Sequence, residues 1–341
     1  MTNPFLKLLG EKGTLLADGA TGTNLFNMGL MSGDAPELWN TDEPQKIKSL
    51  YKGAVDAGSD LFLTNSFGAN ASRLKLHGAE KRVHELARVS AEIGREVADT
   101  AGRDVIVAGS VGPTGEIMEP VGTLSHSLAV EIFHEAADGL KAGGADIGWL
   151  ETISAPEEYR AAAEGFMLAG LTWAGTMSFD TAGRTMMGLT SADMVKMVDD
   201  LDAAQAPVAF GANCGTGASD LLRTILGFSA QGSEKPIIAK GNAGIPKYVD
   251  GHIHYDGTPE LMADYAVMAR ACGAHIIGGC CGTMPEHLRH MREALDTRTM
   301  AHPPALEEIV DRLGAFSSQH DGTGENATPA RRTSRRRRAA G

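Results

Sequence analysis

Two adjacent cysteines, Cys280 and Cys281, stand in GGCCGTMPEHL (278–288), in a chain with only four cysteines. A third, Cys214, lies in GANCG (211–215), and the fourth, Cys272, in ARACGAH (269–275). A disulfide between neighbours would close a small strained ring. The flanking glycines instead permit tight turns that let consecutive side chains reach one ion. A soft, thiolate-rich set suits Zn²⁺, which in catalytic sites takes three protein ligands and leaves one position open. Packing as a small buried hydrophobe is the commonest fate of a free cysteine, and that is the reading for Cys272. For Cys214, Cys280 and Cys281 the vicinal pair and the glycine setting favour metal. Three thiolates around a divalent ion leave a net negative centre that activates water poorly. A thiol, with an ordinary pKa of about 8.5, is by contrast kept deprotonated and nucleophilic there. The chemistry is S-alkylation of a bound thiolate.

Such a site requires a fold that gathers distant cysteines. Short apolar, β-branched runs recur at 14–19, 60–68, 104–112, 146–152, 173–179, 207–215, 236–244 and 274–282, each followed by a stretch of helical periodicity. Several of these stretches end in glycine, as helices do. Eight strand–helix units without a dinucleotide fingerprint after the first strand predict a (β/α)8 TIM barrel, an α/β fold whose chemistry gathers at the carboxyl ends of the strands. Asp18, Asn65, Ser110, Glu151, Asn213 with Cys214, Asn242, and Cys280 with Cys281 fall there. The barrel is expected over 1–300, one appended helix over 301–316, and a disordered Arg-rich tail over 317–341, too polar to repay its ordering.

The net charge of −12 disfavours nucleic acid as a partner. Six of the 31 basic residues crowd into RRTSRRRR (331–338), so the body is more acidic still. No uninterrupted apolar run is long enough to span a membrane, and the first residues lack the pattern of a secretory signal. Cysteine number and placement do not match a secreted disulfide framework. A cytoplasmic enzyme is the expectation, and an oligomer is compatible with it.

The segments LLADGATGTNLFNMG, DLFLTNSFGANASRLKLHG, GSVGPTGE, DIGWLETISAPEEYRAA, GANCG, GNAG and GGCCGT, in that order, resemble the homocysteine S-methyltransferase family over roughly residues 10 to 296. The resemblance implies a zinc-bearing barrel in which Cys214, Cys280 and Cys281 hold the metal, homocysteine thiolate takes the open position, and attack on a methyl donor yields methionine. It implies that Asp18 and Glu151 engage the substrate's amino group, and that backbone donors of Gly19, Ala20 and Thr21 suit its carboxylate. Asn242 is read either as a zinc ligand in the absence of substrate or as an asparagine bracing a turn. Asn65 and Asn213 are read as supporting residues.

The donor is where the pattern departs. Betaine carries a quaternary ammonium that proteins hold against aromatic faces. Vertebrate-type betaine enzymes place a tyrosine after the strand-four glutamate, where this chain has Thr152, and another aromatic where it has Gly68. Trp39 is a remaining donor contact. No second barrel for folate and no cobalamin domain is recognised, which leaves a stand-alone enzyme using an onium donor such as betaine, or one subunit of a split synthase supplied by a corrinoid protein. A non-catalytic zinc binder would not need Asp18 and Glu151. A zinc hydrolase would want histidines at strand ends, and HIHYDG (252–257) reads as a solvent-facing turn.

Overall fold

The computed structural model describes residues 3–320 apart from 245, 250 and 251; over 246–249 and 252–254 only the backbone is described. The strands in chain order are β1 (Leu15–Leu16), β2 (Leu61–Leu63), β3 (Ile106–Val111), β4 (Ile147–Ile153), β5 (Trp173–Met177), β6 (Phe210–Cys214), β7 (Ile237–Gly241), β8 (Pro246–Val249), β9 (His252–Tyr255) and β10 (Ala274–Gly279). Eight of them form one parallel sheet in the order β1, β10, β7, β6, β5, β4, β3, β2. With helices between successive strands, this is the expected (β/α)8 barrel.

Side-chain alternation along the strands sorts the core into two layers. Leu15, Ala17, Leu61, Leu63, Ile106, Ala108, Ile147, Trp149, Ala174, Ile238 and Ile276 fill the lumen. The residues between them, such as Leu16, Phe62, Val107 and Leu150, pack outward onto the helices. A helix absent from the sequence reading, Pro4–Lys12, stoppers the lower end of the lumen with Phe5, Leu8 and Leu9. Asn3 caps it by accepting from the Phe5 N–H, and proline opens its first turn. Burying each of the three apolar side chains contributes on the order of 2 kcal/mol.

The barrel is thinnest between its first two strands. No ladder joins β1 to β2; the direct backbone link there is Asp60 N–H to Leu16 O, 2.6 Å. Carboxylates supply the missing acceptors. Asp60 Oδ2 accepts from Leu16 N–H (2.9 Å), and Asp18 Oδ2 accepts from Leu63 N–H (2.9 Å). Lys12 (2.5 Å), Arg292 (3.2 Å) and Arg103 (3.9 Å) surround the buried Asp60.

The segment 252–257 is not the turn expected from sequence. Residues 252–255 form β9, antiparallel to β8 with Pro246 opposite Tyr255 and Val249 opposite His252. Asp-Gly at 250–251, between two short β-prone runs, is a hairpin signal that explains the difference. The expectation that His252 and His254 are surface residues lies outside the described side chains. A helix at Leu306–Leu313 follows the barrel, and Ser317 and Ser318 hydrogen-bond to Asp220 and Arg223 of the helix after β6. The rest of the expected tail, 321–341, lies outside the described residues. No helix among the described residues is long and apolar enough to cross a membrane.

Replacing Asp60 by Ala strands the Leu16 N–H and three cations at the seam, and is expected to cost about 3 kcal/mol. A urea unfolding series would show a lower midpoint with unchanged slope; an unmoved midpoint would mean that the seam closes without this carboxylate.

Candidate functional site

The inward positions at the carboxyl ends of the strands turn polar where the lumen opens. Continuing the alternation from Ala108, Trp149, Ala174, Ile238 and Ile276 arrives at Ser110, Glu151, Thr176, Lys240 and Cys280. The three sequence-singled cysteines meet at this rim: the sulfurs of Cys214, Cys280 and Cys281 all lie within 4.8 Å of one another. Cys214 and Cys281 are 4.0 Å apart, about twice a disulfide bond. Two sulfurs each about 2.3 Å from a tetrahedral ion would be about 3.8 Å apart, so the donor set fits zinc in both type and spacing. Clustering also couples the thiols. Hydrogen bonds from Cys214 and Cys280 pull the Cys281 thiol down to about 3, while Cys214, which donates to both Cys280 and Cys281, is driven well above its ordinary range. Cys272 stays apart from this group, buried at the end of helix Pro259–Ala271, where burial pushes its thiol up to about 12.

Two asparagines hold the cysteine-bearing loops together. The Asn213 side chain uses all four of its hydrogen-bonding positions: Oδ1 accepts from Thr152 N–H (2.8 Å) and Thr176 Oγ1 (2.6 Å), and Nδ2 donates to Thr152 Oγ1 (2.8 Å) and Cys280 Sγ (3.7 Å). Thr152 and Cys214 both carry φ of 61°, a left-handed conformation costly for residues with a Cβ. Asn213 clamps that strained backbone on β4 and β6. Asn242 donates to Gly215 O (2.9 Å) and accepts from Cys281 N–H (3.0 Å). It therefore braces the loops after β6 and β10, which is the second of the two readings open from sequence. Asn65 is bound away from the sulfurs, to Pro36 O and Asn40 Oδ1.

Asp18 and Glu151 face a residue the sequence reading passed over. Lys240 Nζ lies 2.6 Å from Asp18 Oδ1, with the lysine side chain 2% exposed, and 6.0 Å from the centre of the Trp149 ring. Burial works against the lysine's charge, but Asp18 and Glu151 outweigh it and its pKa is raised. Burial lifts the Asp18 carboxyl, opposed by Lys240 and the Leu63 N–H. At this distance the two groups form a buried ion pair. Glu151, hydrogen-bonded by Ser110 Oγ (2.5 Å), is pushed up to about 7, first by burial and then, against the pull of Lys240, by the Cys280 sulfur. Period-two counting from Ile238 would have found Lys240.

Gly19 to Thr21 form a loop stitched to the one after β10. Ala20 N–H donates to Thr283 O (3.0 Å), and a Cβ on Gly19 would stand 2.5 Å from that oxygen. The Ala20 N–H is therefore engaged, and Thr21 opens a helix, Thr21–Asn27, that has no side-chain cap. Trp39 has the Lys46 ammonium over its ring at 4.2 Å. Tyr255, inside the segment read as a turn, brings its hydroxyl into hydrogen-bond contact with Cys281.

Lys240→Met is expected to cost about 3 kcal/mol by leaving the Asp18 carboxylate buried without its counter-charge. Adding Asp18→Asn should recover at least about 1 kcal/mol in urea unfolding; strict additivity would mean the two groups do not pair. Glu151 holds its proton more tightly when folded than its ordinary 4.5. Its contribution to stability is therefore full below about pH 4.5 and is lost as pH rises through about 7. Its partial exposure at the mouth reduces the effect to roughly 2 kcal/mol. With metal chelated away, thermal melts of the parent should fall more steeply over that interval than those of Glu151→Gln. Parallel profiles would show that Glu151 is not perturbed.

Comparison with known proteins places this geometry in context. The family model described as homocysteine S-methyltransferase matches residues 15–295. A methionine synthase of Mycobacterium tuberculosis is 28% identical over 331 residues, covering 91% of this chain and 27% of that protein. For a methionine synthase of Mycobacterium leprae the figures are 28% over 308 residues, 85% and 25%. The chain thus spans about a quarter of the length of these curated relatives. Among solved structures, the metallated form of the Escherichia coli homocysteine methyltransferase MmuM superposes with a TM-score of 0.69 at 25% identity, covering 85% of this chain and 99% of that one. The oxidised form gives 0.68 at 25% identity, with coverages of 86% and 99%. The chain belongs to the homocysteine S-methyltransferase family.

Proposed function

We propose that the protein is a zinc-dependent homocysteine S-methyltransferase that makes methionine with a small onium compound, such as betaine, as methyl donor. The cluster of Cys214, Cys280 and Cys281 sulfurs within 4.8 Å carries this reading, and the metallated form of MmuM is in keeping with it. Zinc held by these three sulfurs would keep a fourth, substrate sulfur deprotonated and nucleophilic at neutral pH. Glu151 and Asp18 stand beside the cluster as acceptors for the substrate's ammonium. Lys240 neutralises Asp18, and Glu151, which at about 7 is partly ionised at neutral pH, supplies the remaining negative charge for the ammonium. First-turn N–H groups beginning at Thr21 are donors for the carboxylate, with Ala20 shaping the loop rather than donating. We place the reaction in the cytoplasm, where thiols stay reduced.

A second reading has one observation in its favour. Exposed apolar side chains crowd the connections after β1, β2, β3 and β5: Met31, Leu76, Ile117, Val121, Met186 and Met187. Such a collar around the mouth suits docking of a protein, and under that reading the methyl group arrives on a separate corrinoid protein.

Cys281→Ala should lose metal and methionine formation together while the barrel remains folded, as read by elemental analysis, product assay and circular dichroism. Full activity in metal-free Cys281→Ala would sink the thiolate mechanism. Incubating the zinc-loaded protein with homocysteine and, separately, betaine, dimethylsulfoniopropionate, S-methylmethionine or methylcobalamin separates the two donors. Turnover with an onium compound supports the first reading; turnover with methylcobalamin alone supports the second.

A further inference from the structure

A cationic donor needs an aromatic face within reach of the attacking sulfur, and the connections above the barrel offer few. Trp39 already faces Lys46, and Phe67 faces the Arg73 guanidinium at 5.3 Å. Phe179 is buried against Phe228. Phe26 lies on the exposed side of helix Thr21–Asn27. Tyr255 differs from all of these. No ring or cation among the described residues stacks on it, it is only half-buried, and its ring lies against Gly282, next to Cys281.

Its placement is built rather than incidental. A Cβ on Gly282 would stand 2.4 Å from Tyr255 Cγ, so the tyrosine lies directly on the residue that follows the cysteine pair, at a glycine with φ of +77°. The chain leaving β9 is pinned on two sides: Gly257 N–H donates to Ala243 O (2.9 Å), and His287 Nε2 is 2.9 Å from Gly257 O. Ala243 in turn donates its N–H to Cys281 O (2.9 Å). The tyrosine and the cysteine pair are thereby fixed to the same loop.

We propose that Tyr255 is the aromatic wall against which the cationic methyl donor docks, a quaternary ammonium or sulfonium compound held beside the thiol cluster. The inference rests on the reading that the donor is a small onium cation, and it names the residue that selects one. In the reaction the homocysteine thiolate sulfur forms a bond to the methyl carbon, the carbon–nitrogen or carbon–sulfur bond of the onium breaks, and its electron pair leaves with the neutral amine or sulfide. The positive charge is lost in the step, so a wall that favours cations also releases the demethylated product.

Tyr255→Phe keeps the ring, and Tyr255→Leu removes it at similar bulk. In the zinc-loaded protein, Tyr255→Leu should raise the KM for the onium donor about tenfold while Tyr255→Phe stays within about threefold, consistent with a cation–π contact. The KM for homocysteine and the metal content should stay within about twofold in both. Calorimetry provides a readout independent of turnover: the parent should bind betaine in preference to its carbon isostere 3,3-dimethylbutanoate, whose head group is uncharged, and Tyr255→Leu should lose that preference. Onium turnover by the parent with an unchanged donor KM and an intact betaine preference in Tyr255→Leu would overturn this inference and leave the proposed function standing. Absence of turnover with every onium compound would overturn both.

Discussion

Closure of the barrel between its first two strands is the constraint on which the site depends. β1 forms its ladder with β10 and none with β2, and side-chain carboxylates stand in for the missing backbone acceptors on that side. Asp60 does so at the lower end, amid three cations, and its work is structural. Asp18 does so at the upper end, with one oxygen on the Leu63 N–H and the other on Lys240. One residue thus joins the seam to the buried Lys240 at the mouth, and the orientation of its carboxylate is set by the need to complete the wall.

The opposite side of the mouth is organised by amides. Asn213 reaches β4, β5 and the loop after β10, while Asn242 joins the loops that carry Cys214 and Cys281. Every polar atom of the Asn213 side chain is matched, as an amide buried in a lumen requires. The unfavourable backbone angles at Thr152 and Cys214 persist because this network over-determines them. Sulfur convergence is therefore a property of the protein scaffold before any metal is considered.

Much of this was legible in the chain itself. Eight apolar runs separated by helical periodicity identify the barrel because the period changes from two to 3.6 at each boundary, and strand-end position then brings Cys214 toward Cys280 and Cys281. What escaped did so for physical reasons. Lysine is almost never fully buried unless paired, and the partners that permit it at Lys240 in PIIAKGNAG, Asp18 and Glu151, come from other strands that local pattern does not bring together. Tyr255 was hidden in a segment rich in polar residues, although Asp-Gly between two β-prone runs marked a hairpin. The helix Pro4–Lys12 announced itself through Asn3 and Pro4, but its role under the lumen depends on long-range packing that local pattern does not encode.

That helix fixes the traffic of the molecule. With Phe5, Leu8 and Leu9 packed into one cluster with Leu15, Leu61 and Trp149, the floor is sealed and the lumen above it is solid side chain. Anything that reaches the three sulfurs therefore comes from the rim at the carboxyl ends of the strands, and nothing passes along the barrel axis.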